Sequence, residues 1–234
     1  MIKWALLFLQ SAKYGKALLS GGSMLLSVFA YSLLFGWRYA VGFVVLIFIH
    51  EMGHYIAARQ RGLNVSLPAF IPFVGAWIQL KELPHSVETE AYVGLAGPYA
   101  GTIASLVCYL VADQLNSQLL YAISYAGFII NLFNMLPLSP LDGGRITAIV
   151  SPKMWFIGVP LLIALFLYQP SPLYILVAIL AIPQLLAARK LRGDNNDQYY
   201  DVSLNDRVNY AIWYLGLVAL LGYMSLQAYQ LVGY

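Results

Sequence analysis

The chain has 234 residues, 61% of them hydrophobic and only 10% charged, with a net charge of +3. Soluble domains carry about 25% charged residues, so the composition excludes an ordinary soluble domain and points to a single domain that crosses a membrane several times. A charge so small and scattered offers no surface to nucleic acid. The one cysteine, Cys108, excludes an intrachain disulfide and reads as an inert buried thiol.

Residues 1–20 carry Lys3, Lys13 and Lys16 among leucines and read as an interfacial amphipathic helix or a membrane-proximal arm. The apolar stretch 4–9 is too short for a secretory signal. A short first span follows at 24–35, with Arg38 marking a loop, and a second at 39–58, closed by Arg59 and Arg61. The second span holds His50, Glu51 and His54. A charge at a helix centre in lipid costs about 2.5–3.5 kcal/mol on the translocon scale, so this cluster reads as functional.

Residues 64–83 are apolar but contain Pro68 and Pro72, with Gly75 placed to turn and Val74, Trp77 and Ile78 as strand formers. They read as a small β-hairpin dipping into the membrane, which must line a cavity or pack on protein because open strands are not tolerated against lipid. A polar loop with His85, Glu88 and Glu90 leads to a third span, 91–112, where Gly97 and Gly101 form G-x-x-x-G, a helix-packing pattern. A fourth span starts near 119 and runs into Asn131, Asn134, Pro137, Pro140, Asp142, Gly143 and Gly144, whose prolines and glycines break it. Spans at 154–168, 173–188 and 208–231 complete the chain, the last two separated by a polar loop at 189–207.

The fold expected is therefore an all-α polytopic membrane protein with about six to seven transmembrane helices and a re-entrant β-hairpin. Its core is at about 38–150. The distribution of Lys and Arg puts the N-terminus and the 189–207 loop in the cytoplasm. At 1.5 Å per residue, the stretch around His54 lies on the order of 7–15 Å from the boundary marked by Arg59, nearer the cytoplasmic side. The membrane is read as a prokaryotic cytoplasmic one.

His50-Glu51-Met52-Gly53-His54 is an H-E-x-x-H pattern. On a helix, residues four apart share a face, so His50 and His54 offer two imidazoles to one Zn²⁺, and Glu51 beside them can take a proton from water on the metal. A third ligand must come from elsewhere. Glu82, Glu88, Glu90 and His85 lie in a polar loop where solvation is the simpler account. Asp142 is the better choice, since a carboxylate in apolar surroundings at a helix break needs a partner, with helix capping as its alternative role.

His50-Glu51-Met52-Gly53-His54, the step from Asn134 to Pro137, and Leu141-Asp142-Gly143-Gly144 together resemble the site-2 protease family of intramembrane zinc metalloproteases, peptidase family M50. The resemblance covers roughly residues 40–150. It implies that His50, His54 and Asp142 hold one zinc ion per chain, that Glu51 is the general base, and that Asn134 helps hold the substrate or its oxyanion. It matches the 64–83 hairpin to the family's re-entrant β element. The chain departs from well-known members in showing no segment large enough for a PDZ domain and no C-terminal regulatory domain, which leaves substrate and regulation open.

The function this implies is hydrolysis of peptide bonds within or near transmembrane segments of membrane proteins, with the lipid bilayer as setting. Phe73, Val74, Gly75, Ala76, Trp77, Asn131 and Asn134 are the expected substrate contacts, the strand edge capturing an unwound segment. For Asn131 a hydrogen bond between helices is the preferred account. Two other readings are a membrane metallohydrolase of a lipid or small substrate and a catalytically silent scaffold that binds helices. A transporter is a weaker third, since no inverted repeat is visible.

Overall fold

The computed structural model of the chain describes residues 2–78, 81–82, 84–190 and 198–232. The N-terminal arm and the first span prove to be one helix, α1, Ile2–Phe35. Gly21 and Gly22 do not interrupt it, because neither takes a positive φ there. The break falls on a single residue, Gly36 at φ 81, and α2, Trp37–Gln60, starts at once, so Arg38 lies inside a helix and not in a loop.

The hairpin is present but smaller than its sequence suggests. Strand β1, Ala69–Ile71, pairs antiparallel with β2, Gly75–Trp77, with Phe70 opposite Ala76. The turn is residues 72–74, centred on Phe73 at φ 64, and Gly75 opens the second strand. The hairpin hangs on α1. The Ser20 hydroxyl donates to the Pro68 carbonyl, the Phe70 amide donates to Ser23 Oγ at 3.1 Å, and the Phe73 amide donates to the Tyr31 hydroxyl at 3.1 Å.

Helix α3, Val87–Leu115, is started by Ser86, whose Oγ accepts from the Thr89 amide. Helix α4, Gln118–Asn134, is capped in the same way by Ser117. An irregular segment with a cis Ser139–Pro140 bond leads to a short helix, α5, Asp142–Ala148. A Cβ on Gly143 or Gly144 would strike the backbone of residues 135–139, so only glycine lets this segment fold back so closely. A 3₁₀ turn at Pro152–Met154, then α6, Trp155–Tyr168, α7, Pro172–Lys190, and α8, Leu204–Leu231, finish the fold. Of the expected loop at 189–207, residues 191–197 lie outside the described residues and its two ends are helical.

Among the described residues, four helices are long and apolar enough to cross a membrane: Leu18–Phe35 within α1, then α2, α3 and α8. These four do not confirm the expected count of six to seven. Helix α6 has 14 residues, which at 1.5 Å each is about 21 Å against a hydrocarbon core of about 30 Å. Helix α4, with 17 residues, reaches about 26 Å.

Helices α2, α3 and α4 pack in sequence, α1 lies against α2, and α8 against α4. Leu33, Leu110 and Leu215 are more than half exposed, an outward apolar surface suited to lipid. Where helices meet, small residues let backbones close up, as where Gly53 meets the Ala96 carbonyl and Gly127 meets Ser105. The segment after α4 is fastened from several sides. Tyr214 donates to the Met135 carbonyl at 2.5 Å, Trp155 Nε1 to the Gly144 carbonyl at 2.8 Å, and the Arg207 guanidinium to the carbonyls of Ile149, Val150, Tyr200 and Val202.

Candidate metal centre

His50 and His54 sit one turn apart on α2, buried, and α5 brings Asp142 against them from the other side. The two Nε2 atoms are 3.1 Å apart, and Asp142 Oδ2 lies 3.1 Å from His50 Nε2 and 3.2 Å from His54 Nε2. Donors held 2.0–2.2 Å from a tetrahedral centre stand about 3.3–3.5 Å from one another, so this triangle is close to the first coordination sphere of a small divalent ion.

The outer nitrogens decide the chemistry. His50 Nδ1 lies 2.8 Å from Asn131 Oδ1, and His54 Nδ1 lies 2.7 Å from the Val93 carbonyl of α3. A carbonyl oxygen only accepts, so each Nδ1 carries the proton and donates it. In its neutral form each ring then presents a bare Nε2 toward the other and toward a carboxylate oxygen. Three lone pairs facing one point repel unless a cation lies among them. Among the described residues, His50, His54 and Asp142 form the group able to hold a metal. Asp142 is the first residue of α5, and no side-chain bond caps that helix, so capping is not its role.

Asn131 makes the hydrogen bond between helices expected of it, from α4 to His50 of α2. It is buried and does not line the cavity beside the metal group. Its Nδ2 donates to the Gly127 carbonyl at 2.7 Å, which fixes the amide with Oδ1 toward His50. It links α4 to α2 and holds the His50 ring, and it is absent from the cavity wall where the expected substrate contact would lie. The G-x-x-x-G of α3 has a specific use here. A Cβ on Gly97 would overlap the His54 ring, and one on Gly101 would overlap the Asn131 amide.

A cavity of about 380 Å³ opens at this group, and Glu51, Asn134, Val74, Gly75 and Ala76 line it. The Asn134 Nδ2 donates to the Ile130 carbonyl at 3.0 Å, and its second N–H has no partner among the described residues. Phe73 is displaced from its expected role. It sits in the turn, its ring edge-on to Tyr31 at 5.1 Å, and does not line the cavity. Trp77 belongs to β2 opposite Ala69. The alternative ligands are engaged elsewhere or lie in solvent. Arg61 donates to both oxygens of Glu88 at 3.0 and 2.8 Å, Tyr199 donates to Glu90 at 2.6 Å, Asn64 donates to Glu82 at 2.5 Å, and His85 is exposed. Burial pushes the Tyr199 hydroxyl well above the usual phenol range, with the Glu90 carboxylate adding to it.

Sequence reasoning missed the carbonyl of Val93, Arg145, and Leu173 and Val177 of α7, all but the first on the cavity wall. Arg145 was findable, three residues from Asp142 and so on its face of a helix. A backbone carbonyl and apolar residues of a distant helix leave no such signal.

Residues 38–118, with the two histidines and Glu51 inside them, match the model of Peptidase family M50. The chain is 31% identical over 128 residues to a zinc metalloprotease of Methanocaldococcus jannaschii, covering 51% of this chain and 37% of that protein. It is 28% identical over 153 residues to a probable chloroplastic zinc metalloprotease of Arabidopsis thaliana, covering 45% of this chain and 28% of that one. The match thus spans less than two fifths of either relative. Among solved structures, the site-2 protease from Methanocaldococcus jannaschii superposes with a TM-score of 0.46 at 23% identity, covering 77% of this chain and 87% of that one.

Proposed function

We propose that the chain is a zinc metalloendopeptidase of site-2 protease type, cutting peptide bonds within or beside membrane-spanning segments. The observation that carries this is the convergence of His50, His54 and Asp142 beside Glu51, on a cavity whose wall includes β2. Zinc fits the donor set of two imidazoles and one carboxylate, with room for a fourth group, and the curated relatives are named zinc metalloproteases.

Bound zinc supplies a Lewis acid and lowers the pKa of water to about 7. Glu51 adjoins the first ligand and faces the same cavity, so it takes the proton from the attacking water and passes it to the leaving amine. The second N–H of Asn134 is placed to donate to the scissile carbonyl as negative charge grows there. An unwound substrate adds to the open edge of β2, which leaves its scissile carbonyl over the ligand group. An extended lip of this kind suits a peptide better than a lipid, and a pure scaffold has no need for a carboxylate at position 51. The site faces the cytoplasm: His54 lies six residues, about 9 Å, from the end of α2 at Gln60, next to Arg59 and Arg61.

The test compares membrane proteomes of cells carrying the natural chain and Glu51→Gln. Uncut transmembrane proteins should accumulate with the variant, which keeps its zinc, whereas Asp142→Ala loses zinc. Identical proteomes, or full zinc occupancy in Asp142→Ala, would overturn the reading.

A further inference from the structure

Arg145 shares the wall of the metal cavity with Glu51 and Asn134. It follows Asp142 by three residues on α5, half-buried, with its Cβ against Gly94 of α3. A guanidinium stays charged at every physiological pH and carries five donors. The neighbouring cations are satisfied within the chain: Arg61 by Glu88, and Arg207 by four carbonyls. Its backbone amide donates to the Leu141 carbonyl at 3.4 Å, and its charge acts through space on Glu51 and Tyr199, but among the described residues its guanidinium makes no hydrogen bond or ion pair.

The acids around it are engaged. From α3, Glu88 is bound by Arg61 and Tyr210, and Glu90 by Tyr199. On its own helix, Asp142 faces the two histidines. From α2, Glu51 faces the cavity and is the group assigned to proton transfer. A half-buried charge with no partner is unfavourable, and the planar fork of a guanidinium matches a carboxylate with two parallel hydrogen bonds.

We propose that Arg145 is a specificity residue, receiving the carboxylate of an Asp or Glu side chain that a membrane-spanning substrate carries close to the cleaved bond. The proposal rests on the protease reading above. The carboxylate comes from the peptide and not from an anionic lipid headgroup, because Arg145 opens on the cavity that holds the ligand group and the β2 lip, where the substrate backbone must lie.

The experiment uses the zinc-loaded full chain in phosphatidylcholine vesicles and synthetic transmembrane peptides in which one Asp, Asn or Lys is walked through the positions flanking the cleaved bond. At one position the natural chain should cut the Asp peptide about tenfold or more faster than the Asn peptide, the range of a charge-assisted hydrogen bond. Arg145→Gln should bring that ratio near one, Arg145→Lys should retain part of it, and Arg145→Glu should favour Lys, with zinc content unchanged. Peptide affinity for Glu51→Gln, with and without the Arg145 changes, should follow the same order. An Asp preference in binding with no cutting by the natural chain refutes the protease reading and leaves this one standing. No acidic preference at any position, a preference surviving in Arg145→Gln, an equal loss for every peptide, or an effect that appears only when phosphatidylglycerol is added would overturn it.

Discussion

Replacing Asn131 with alanine removes the oxygen that holds His50 Nδ1–H at 2.8 Å and leaves that N–H buried with no acceptor. A buried donor stripped of its partner costs about 1–3 kcal/mol. The cost falls on the metal-bound arrangement, since the freed ring turns to find water or protonates on Nε2, and either competes with ligation. At about 1.4 kcal/mol per tenfold, zinc affinity should fall by roughly one to two decades, the range measured when outer partners of metal-bound histidines are removed. Competition against a chelator of graded strength, on the full chain in detergent, reads this directly. Asn131→Asp keeps an acceptor at the same place and should bind zinc more tightly than the alanine variant. An alanine variant within about threefold of the natural affinity would refute the assignment of Asn131 as the orienting group.

Gly101→Ala pushes a methyl group into the same amide, and Gly97→Ala pushes one into the His54 ring. Overpacking of this kind costs about 1–3 kcal/mol, so both should lower the melting temperature of the zinc-loaded protein and its zinc occupancy, Gly97→Ala the more. Val74→Pro deletes the amide that donates to the Ile71 carbonyl at 3.2 Å and so opens the hairpin turn. Cleavage of transmembrane peptides should drop while zinc stays bound, and full activity would dismiss the lip as a substrate element. Arg207→Ala strands four carbonyls around the end of α5. The loss should be on the order of 2–4 kcal/mol of stability, visible as a lower melting temperature both with and without zinc.

The chemistry was legible because it breaks the local rule. Ionisable residues in an apolar helix and an aspartate among prolines and glycines both demand partners, and the structure makes each the other's partner. Glu88 and Glu90 were equally visible as acids; they fall in the first turn of α3 and not in a loop, and Arg61, Tyr210 and Tyr199 bind them. The helix limits were less legible. Gly21-Gly22-Ser23 weakens a helix without stopping it, since glycine costs only about 1 kcal/mol there, whereas Gly36 stops one by adopting φ 81. Nothing local distinguishes the two. The hairpin turn was placed on Gly75, yet Phe73 takes the left-handed conformation, held by the Tyr31 hydroxyl, a contact with a helix forty residues away. Asn131 was read as joining helices and does join α4 to α2; what stayed hidden was its partner, His50, visible only once α4 is set against α2.

The two histidines differ in how their orientation can be lost. That of His50 depends on a side chain, so a single codon change can delete it. That of His54 depends on the main-chain carbonyl of Val93, which every residue possesses, and no substitution at position 93 other than a structural upheaval takes it away. What can take it away is distance. A detergent or lipid mixture that pries α3 from α2 withdraws the carbonyl and frees the ring, so ion retention doubles as a gauge of how tightly those two helices are pressed together. Loss of the ion in a harsh detergent would then report a parted helix pair before any helix has unwound.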